Sequence, residues 1–336
     1  MKVPGCLSSL NLSPQNPILL WYISIMQLKR DLAIILRSIP YEDRHRIVTA
    51  LTEHHGQISA LARNSIQSRR FGGTLDPFVA SEWQFAEKPG AELARLDEAL
   101  IKRSFEGIRK DFERLSLASV FSEFMLRVAP KNEACPDLFK LHSNALAALE
   151  ELPSPGTIKP SVSFSADSSG SVTTTSSDGQ IVSQEDFLRS IILLLNGYLA
   201  KCLQWSGNQP QLQACHGCKR PLDTLEPNAS LTCLILDAAW MCPDCRGKET
   251  HHIQGKGAQG FQGAQIRVTP MAIIDFLMSL VSPIRQIPTH AIASREDHAQ
   301  LFQFIEALFA YHLPGFDQKP LNGLRFLGLE SNLQPR

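Results

Sequence analysis

Two cysteine pairs constrain this chain more than any other feature: Cys215-His216-Gly217-Cys218 and, after the 23 residues 219–241, Cys242-Pro243-Asp244-Cys245. Four thiolates close a tetrahedron around zinc, and a two-residue spacing lets one tight turn present both sulfurs of a pair to the same ion. Gly217 eases the first turn and Pro243 stiffens the second. Such a site leaves no open coordination position, so one zinc per chain in a structural role is the leading expectation. Redox-active pairs and chance spacing are the other readings. His216, His251 and His252 are near enough in sequence to substitute as ligands, although four cysteines need none. Cys6, Cys135, Cys202 and Cys233 are scattered through a 336-residue chain. That is not the framework of a small disulfide-stapled secreted domain, and it points to a reducing, cytoplasmic compartment.

Lys and Arg number 33 against 33 Asp and Glu, so a chain basic throughout is excluded and any polyanion-binding surface must be local. With 43% apolar residues, the chain has material for a core and the length for more than one domain. Ile18 to Met26 is a short apolar run, well under the roughly 20 residues of a membrane span. No small-x-small cleavage site follows it, so residues 1–25 read as an N-terminal extension rather than a signal peptide, with Met26 opening the folded protein.

Short strand-like segments follow: Ala33–Leu36, Ile47–Thr52, Gln57–Ala62 and Phe78–Phe85, punctuated at His55-Gly56 and Gly72-Gly73. Leu93 to Ile101 reads as a last strand or the start of a helix. Over 26–103 this pattern predicts a small five-stranded barrel of the OB type. The period then turns helical. Phe105, Ile108, Phe112, Leu115, Ser119 and Phe121 to Met125 form an apolar stripe expected in the core, and a second helix fits Pro136 to Leu152. Residues 154–183 hold ten Ser and four Thr, which predicts a flexible insertion, with a hairpin as the alternative where Ser161-Val162-Ser163-Phe164-Ser165 alternates. Helix resumes over 184–211, followed by the cysteine module at 212–250, a Gly/Gln-rich loop at 251–268 and C-terminal helices over 269–336. The whole reads as an α+β multi-domain protein: N-terminal barrel, central and C-terminal helical bundle in the parts 104–153 and 184–211 onward, and zinc module.

No phosphate loop, HExxH or GxSxG is present. A formal GxGxxG at Gly255, Gly257 and Gly260 runs into further Gly and Gln and reads as a loop. His54-His55, before Gly56, reads as a solvated turn rather than a catalytic base. The remaining signal is charge. Between Met26 and Gly72 lie Lys29, Arg30, Arg37, Arg44, Arg46, Arg63, Arg69 and Arg70 against Asp31, Glu42, Asp43 and Glu53. A barrel face of this kind can track a phosphate backbone, with Phe71, Phe78 or Trp83 available to stack on bases. A solvated face with locally paired arginines explains the same residues.

Several segments then resemble one family in order. Ile34-Ile35-Leu36-Arg37, Tyr41-Glu42-Asp43-Arg44-His45-Arg46-Ile47-Val48-Thr49, His55-Gly56-Gln57-Ile58-Ser59-Ala60-Leu61-Ala62 and Arg70-Phe71-Gly72-Gly73-Thr74-Leu75-Asp76-Pro77-Phe78 are similar to the opening of the bacterial RecO family. Ser119 to Leu126, Pro136-Asp137-Leu138-Phe139, Leu146 to Leu149 and the paired cysteines follow in the family's order. The resemblance implies an OB-fold, a helical bundle and a zinc module. It implies a non-enzymatic recombination mediator that binds single- and double-stranded DNA and anneals complementary strands. It further implies help in loading RecA onto protein-coated single strands, with RecR and the C-terminal tail of single-strand-binding protein as partners and no membrane. Where the family often has a small, basic run after the third strand, this chain has Asn64-Ser65-Ile66-Gln67; Asn64 is able to take a left-handed turn in place of Gly. A protein-interaction adaptor without DNA binding and a zinc or redox enzyme are the competing functional classes.

Overall fold

The computed structural model describes residues 27–88, 90–166, 172–249, 266–289, 292–313, 316 and 319–331. The extension at 1–25, Met26, the Gly255–Gly260 motif and His251-His252 lie outside the described residues. Two compact units emerge. Among the described residues, one holds the chain up to Ser104 with Ala129–Phe139, and the other holds Phe105–Val128 and the chain from Lys140 onward.

In the first unit β1 (Gln27–Tyr41), β2 (His45–Thr52), β3 (Gly56–Ala62), β4 (Ala80–Glu87) and β5 (Ala94–Arg103) close into a five-stranded OB-type barrel in the order β1-β2-β3-β5-β4. The β3–β5 pair is parallel and the others antiparallel. β1 is long because it serves two neighbours: Gln27–Ile34 pairs with β4, and Ala33–Tyr41 pairs with β2. Its register slips between Ile35 and Arg37, and a bulge there lets one strand bend from one edge to the next. Residues alternate in and out as a barrel requires, so Ala33 and Ile35, Val48 and Ala50, Ile58 and Ala60, and Trp83 and Phe85 share the interior. The many alanines leave room for the two large rings. The segment open between strand and helix is a strand, β5, because its alternation buries Ala94, Leu96 and Ala99 in that interior. Gly56, at φ +68°, lies where a Cβ would collide with the carbonyl oxygens of Pro130 and Glu133. That contact lets the 130–133 segment hydrogen-bond with Gln57 on both its N–H and its C=O.

In the second unit the helix expected from Phe105 starts later. Phe105 is left-handed (φ 49°), Glu106–Arg109 is a single 3₁₀ turn, and α1 spans Phe112–Val128. The break occurs where the Glu150 carboxylate accepts the Gly107 N–H at 3.0 Å. The apolar stripe is correspondingly split: Leu117, Val120, Phe121, Phe124 and Met125 are buried, but Phe112, Leu115 and Ser119 are exposed. α2 (Pro136–Glu151) follows, and the buried Arg114 guanidinium caps its end through the carbonyls of Leu149 and Leu152. Residues 154–183, expected as a flexible insertion, instead carry a two-stranded antiparallel hairpin, β6 (Ile158–Ala166) with β7 (Val172–Ile181). Val162 and Phe164 alternate with serines in β6, and β7 opens on the β-branched run Val172-Thr173-Thr174-Thr175, composition that suits a strand.

α3 (Gln184–Trp205) is buried along Ile191–Leu203 and packs against α5 (Pro270–Val281) and α6 (Arg295–His312). Ser183, Thr269 and Ser294 cap the three helices, Ser294 in a capping box with Asp297. Between α3 and α5 lie β8 (Leu231–Leu234), β9 (Ala239–Met241), α4 (Pro243–Glu249) and β10 (Arg267–Val268), the strands forming a sheet in the order β10-β8-β9. The Gly/Gln-rich loop therefore ends earlier than expected, because Arg267 and Val268 pair with Thr232 and Leu231. No helix among the described residues is long and apolar enough to cross a membrane.

Candidate nucleic-acid interface and metal centre

The eight cations of the barrel separate into two ends. At one end the β1–β2 turn carries Arg44, the start of β2 carries Arg46, and Arg63 follows β3. Arg46 is in register with Ala62, and the Ile66 N–H donates to the Arg44 carbonyl at 3.3 Å, so these three arginines share one edge. Asn64 holds this corner. It is left-handed (φ 54°), and its N–H donates to His45 Nδ1 at 2.8 Å. Arg69 and Arg70 follow on the 3₁₀ turn Arg69–Phe71, which is capped by Ser68. Arg46 approaches Asp76 at 3.5 Å, and Arg70 lies 4.8 Å over the Phe71 ring. No ion pair links Arg44, Arg63 or Arg69 to an acid among the described residues. Arg37 is exposed on β1 opposite Thr49. Lys29 and Arg30 lie at the far end of β1, about 36–40 Å along the strand from Tyr41. There Lys29 pairs with Glu87 at 2.6 Å and Arg30 donates to Gln84 at 3.1 Å.

The three aromatics expected to stack on bases are not available. Phe71, Phe78 and Trp83 are all buried, Phe71 and Trp83 in the barrel interior, because a narrow barrel fills itself with its largest side chains. The aromatic at the arginine edge is Tyr41, paired with His45 across the β1–β2 turn and 43% exposed. Its place beside the turn residues Glu42 to Arg44 was the signal for it in the sequence.

In the second unit the four cysteines come together, with one sulfur of each within 4.8 Å of all the others. Cys218 and Cys242 sulfurs lie 3.7 Å apart. Cys215 and Cys218 ride a tight turn in which the Cys215 N–H donates to Arg220 and the Lys219 N–H to Cys215. The left-handed residue of that turn is Lys219 (φ 60°) rather than Gly217. Gly217 is required for another reason: a Cβ there would meet the Cys245 sulfur at 3.0 Å. Cys242 follows β9, and Cys245 lies in the first turn of α4. Arg220 and Asp244 bridge the two turns at 3.0 Å, and the His216 N–H donates to the Trp240 carbonyl at 2.8 Å.

The donor set fits a soft cation. Burial would raise the Cys215 thiol, but N–H groups of Cys242, Cys218 and Gly217 directed at its sulfur outweigh it and bring the group to about 7. Hydrogen bonding to Cys218, with burial, pushes Cys245 up to about 12. Four sulfurs this close repel one another as thiolates unless a cation lies among them. Cys135, Cys202 and Cys233 are buried away from the cluster, and burial raises all three thiols, leaving them unreactive.

Comparison with known proteins bears chiefly on the barrel. Residues 26–105 match the family model described as "Recombination protein O N terminal", and residues 109–164 match "Recombination protein O C terminal". Over these two segments the chain is similar to the RecO family. It is 34% identical over 121 residues to DNA repair protein RecO of Anaeromyxobacter dehalogenans (strain 2CP-C), covering 36% of this chain and 48% of that one. The RecO of Geobacter metallireducens is 34% identical over 127 residues, covering 38% and 51%. That of Rhodopirellula baltica is 25% identical over 221 residues, covering 66% and 68%. The chain spans about half the length of the Anaeromyxobacter relatives it matches. The arginine edge and Tyr41 fall within the N-terminal RecO match, whereas the four cysteines lie beyond residue 164, where the C-terminal match ends.

Proposed function

We propose that this RecO-like chain is a DNA-repair and recombination mediator that works by binding rather than by catalytic turnover. Its barrel holds single- and double-stranded DNA, it anneals complementary strands, and it helps load RecA onto protein-coated single strands together with RecR and the C-terminal tail of single-strand-binding protein. It does so in the cytoplasm, at the nucleoid. The observation that carries the reading is the arginine edge: Arg44, Arg46 and Arg63 share one corner of an OB-type barrel beside an exposed Tyr41. Arg44 and Arg63, with no ion pair to an acid among the described residues, are free to neutralise phosphates beside Arg46, and the exposed Tyr41 ring offers a face for a base. Arg69 and Arg70 extend this surface, Arg37 flanks it, and Lys29 and Arg30 serve only if DNA reaches the opposite end.

Cys215, Cys218, Cys242 and Cys245 hold one Zn²⁺ in this reading. The ion supplies folding free energy and no reaction step. The deciding experiment is annealing of complementary oligonucleotides coated with single-strand-binding protein. Acceleration by wild type, lost in Arg44→Ala/Arg63→Ala, is the expected result. Wild-type protein that neither binds bare DNA nor accelerates annealing would overturn the reading in favour of a protein-interaction adaptor.

A further inference from the structure

Asp31 is the one carboxylate buried in the barrel's first strand, and its side chain has no exposed surface. It lies on the interior side of β1, two residues before Ala33 and in register with Trp83, near the end of the barrel closed by the β2–β3 turn. An ionised carboxylate there is tolerated only if its oxygens are satisfied. They are. Oδ1 accepts the Leu32 N–H at 2.9 Å and lies 2.9 Å from His54 Nδ1. Oδ2 accepts the His54 N–H at 2.9 Å and lies 2.7 Å from His55 Nδ1. A carboxylate is acceptor-only, so both Nδ1 atoms carry their protons toward Asp31. The turn holding the two histidines is fixed as well, with Thr52 Oγ1 donating to the Gly56 carbonyl at 2.8 Å and accepting the His55 N–H at 3.2 Å.

A cation held by Asp31, Glu53 and His54 is the first use to consider, because one ligand atom of each lies within 4.8 Å of the others. The hydrogen bonds argue against it. A carboxylate offers about four lone-pair sites, and those of Asp31 are all taken. What the arrangement leaves available is the opposite edge of each ring. His55 packs edge-on against Phe85, with its side chain 26% exposed. The His54 side chain is 69% exposed, so its Nε2 edge is the part of the network presented outward.

We propose that His54, oriented by Asp31, is a proton-gated phosphate contact that extends the DNA track of the barrel from the arginine edge to the opposite mouth. The inference rests on the DNA-binding reading above. β2 runs from the arginine edge at His45 to Thr52 beside the His54 turn, a span of about 23 Å. A strand of DNA laid along the β2–β3 hairpin would meet cations at both ends, within the footprint of about 4–16 nucleotides usual for an OB-fold. Imidazolium offers Nε2–H to a phosphate oxygen, whereas the neutral ring with its proton on Nδ1 presents a lone pair that repels it. Asp31 thus positions the ring and favours its charged form. The hydrogen bond and the charge of Asp31 hold His54 above the ordinary imidazole range, in spite of slight desolvation and with help from Glu53. The charged groups around the turn are Asp31 on β1, Glu53 and His55 on the turn itself, the Lys29–Glu87 pair across β1 and β4, and Lys131 and Glu133 on the segment packed against Gly56 and Gln57.

The test measures affinity of the full chain for a labelled oligothymidylate between about pH 5.5 and pH 8.5, bracketing the imidazole range, at several salt concentrations. Wild type should bind more tightly as pH falls, and its slope of log affinity against log salt should steepen by about 0.7 at the acidic end, the contribution of one phosphate contact on a single strand. His54→Gln, which removes the titrating ring, should lose that steepening, and His55→Gln should keep it. A pH profile for His54→Gln that superimposes on wild type, or loss of the effect in His55→Gln alone, overturns the inference. Should His54→Gln fail to fold, nuclear magnetic resonance titration of the wild-type imidazoles decides: the His54 midpoint must rise when oligothymidylate is added, and an unmoved midpoint is equally fatal. A folded wild type that binds no DNA at any pH instead brings down the DNA-binding reading itself, which separates the two failures.

Discussion

Around Trp83 and Phe85 of β4 the barrel encloses a continuous interior of Ile35, Val48, Ile58, Leu75, Val79 and Leu96, contributed by the other four strands and the connection before β4. Around Trp240 the cysteine module has strands of four, three and two residues and relies on Leu212, Leu222, Leu231 and Met241 for apolar cover. The first region has enough buried area to hold itself together; the second is of the size that needs a staple. The sulfur cluster is the staple on hand, which explains why the Arg220–Asp244 bridge and the Trp240–Leu212 hydrogen bond both lie around it.

The sharpest way to break this contrast is to remove the metal. Chelation, or Cys242→Ser, should unfold the module, since structural zinc contributes on the order of 10 kcal/mol in small zinc-binding peptides. Amide hydrogen exchange should then rise across β8 and β9 and remain slow in β1 to β4. Elemental analysis should give one zinc per chain beforehand. Protein stripped of metal with unchanged protection at Leu231–Met241 would mean that apolar burial suffices there after all.

Next in size is Trp83→Ala. Removing a fully buried indole from the barrel should cost about 3–5 kcal/mol, seen as a lower denaturant midpoint, with the zinc content unchanged. Loss of zinc in this variant would show that the two regions do not draw on separate sources of stability. Smaller again is Arg44→Ala with Arg63→Ala. Exposed and without acidic partners among the described residues, the two arginines should leave the melting temperature almost unmoved. The salt slope on single-stranded DNA should flatten by about 1.4, from two contacts of about 0.7 each. An unchanged slope would assign both arginines to an ordinary solvated face.

The two regions also differed in how far they could be read beforehand. Barrel strands announce themselves by alternation, and β2, β3 and β4 lie where Ile47–Thr52, Gln57–Ala62 and Phe78–Phe85 placed them. The bulge in β1 and the burial of Phe71, Phe78 and Trp83 were not legible, because a period of two does not say which face closes inward. The cysteine spacing pointed to one cluster, yet Gly217 serves the close approach of Cys245 rather than a left-handed turn, a distinction that requires the second pair in place. The late start of α1 is set by Glu150, more than forty residues away. Asp31 and His54-His55 are separated by over twenty residues, so only closure of the barrel brings the carboxylate to the turn.

The smallest expected effect is the response to pH, and it should have opposite signs in the two regions. With zinc held by the four cysteines as proposed, protons would compete with it for sulfur, so acidification should weaken the module. At the barrel mouth burial would raise Asp31, but the bonds from His54 and His55 outweigh it and hold the carboxyl below its ordinary value. That contribution is present above about pH 3.9 and is lost as pH falls through the lower folded value. His54 is held above its ordinary value by the hydrogen bond and charge of Asp31. Its contribution is complete below about pH 6.5 and fades as pH rises through the higher folded value. The mouth is therefore strongest between those limits. The melting-temperature advantage of wild type over His54→Gln should be larger at about pH 5.5 than at about pH 8.5. It should stay modest, because water screens a ring that is 69% exposed. An advantage that grows with rising pH would mean that Asp31 does not favour the imidazolium, and the two regions would then respond to protons in the same direction.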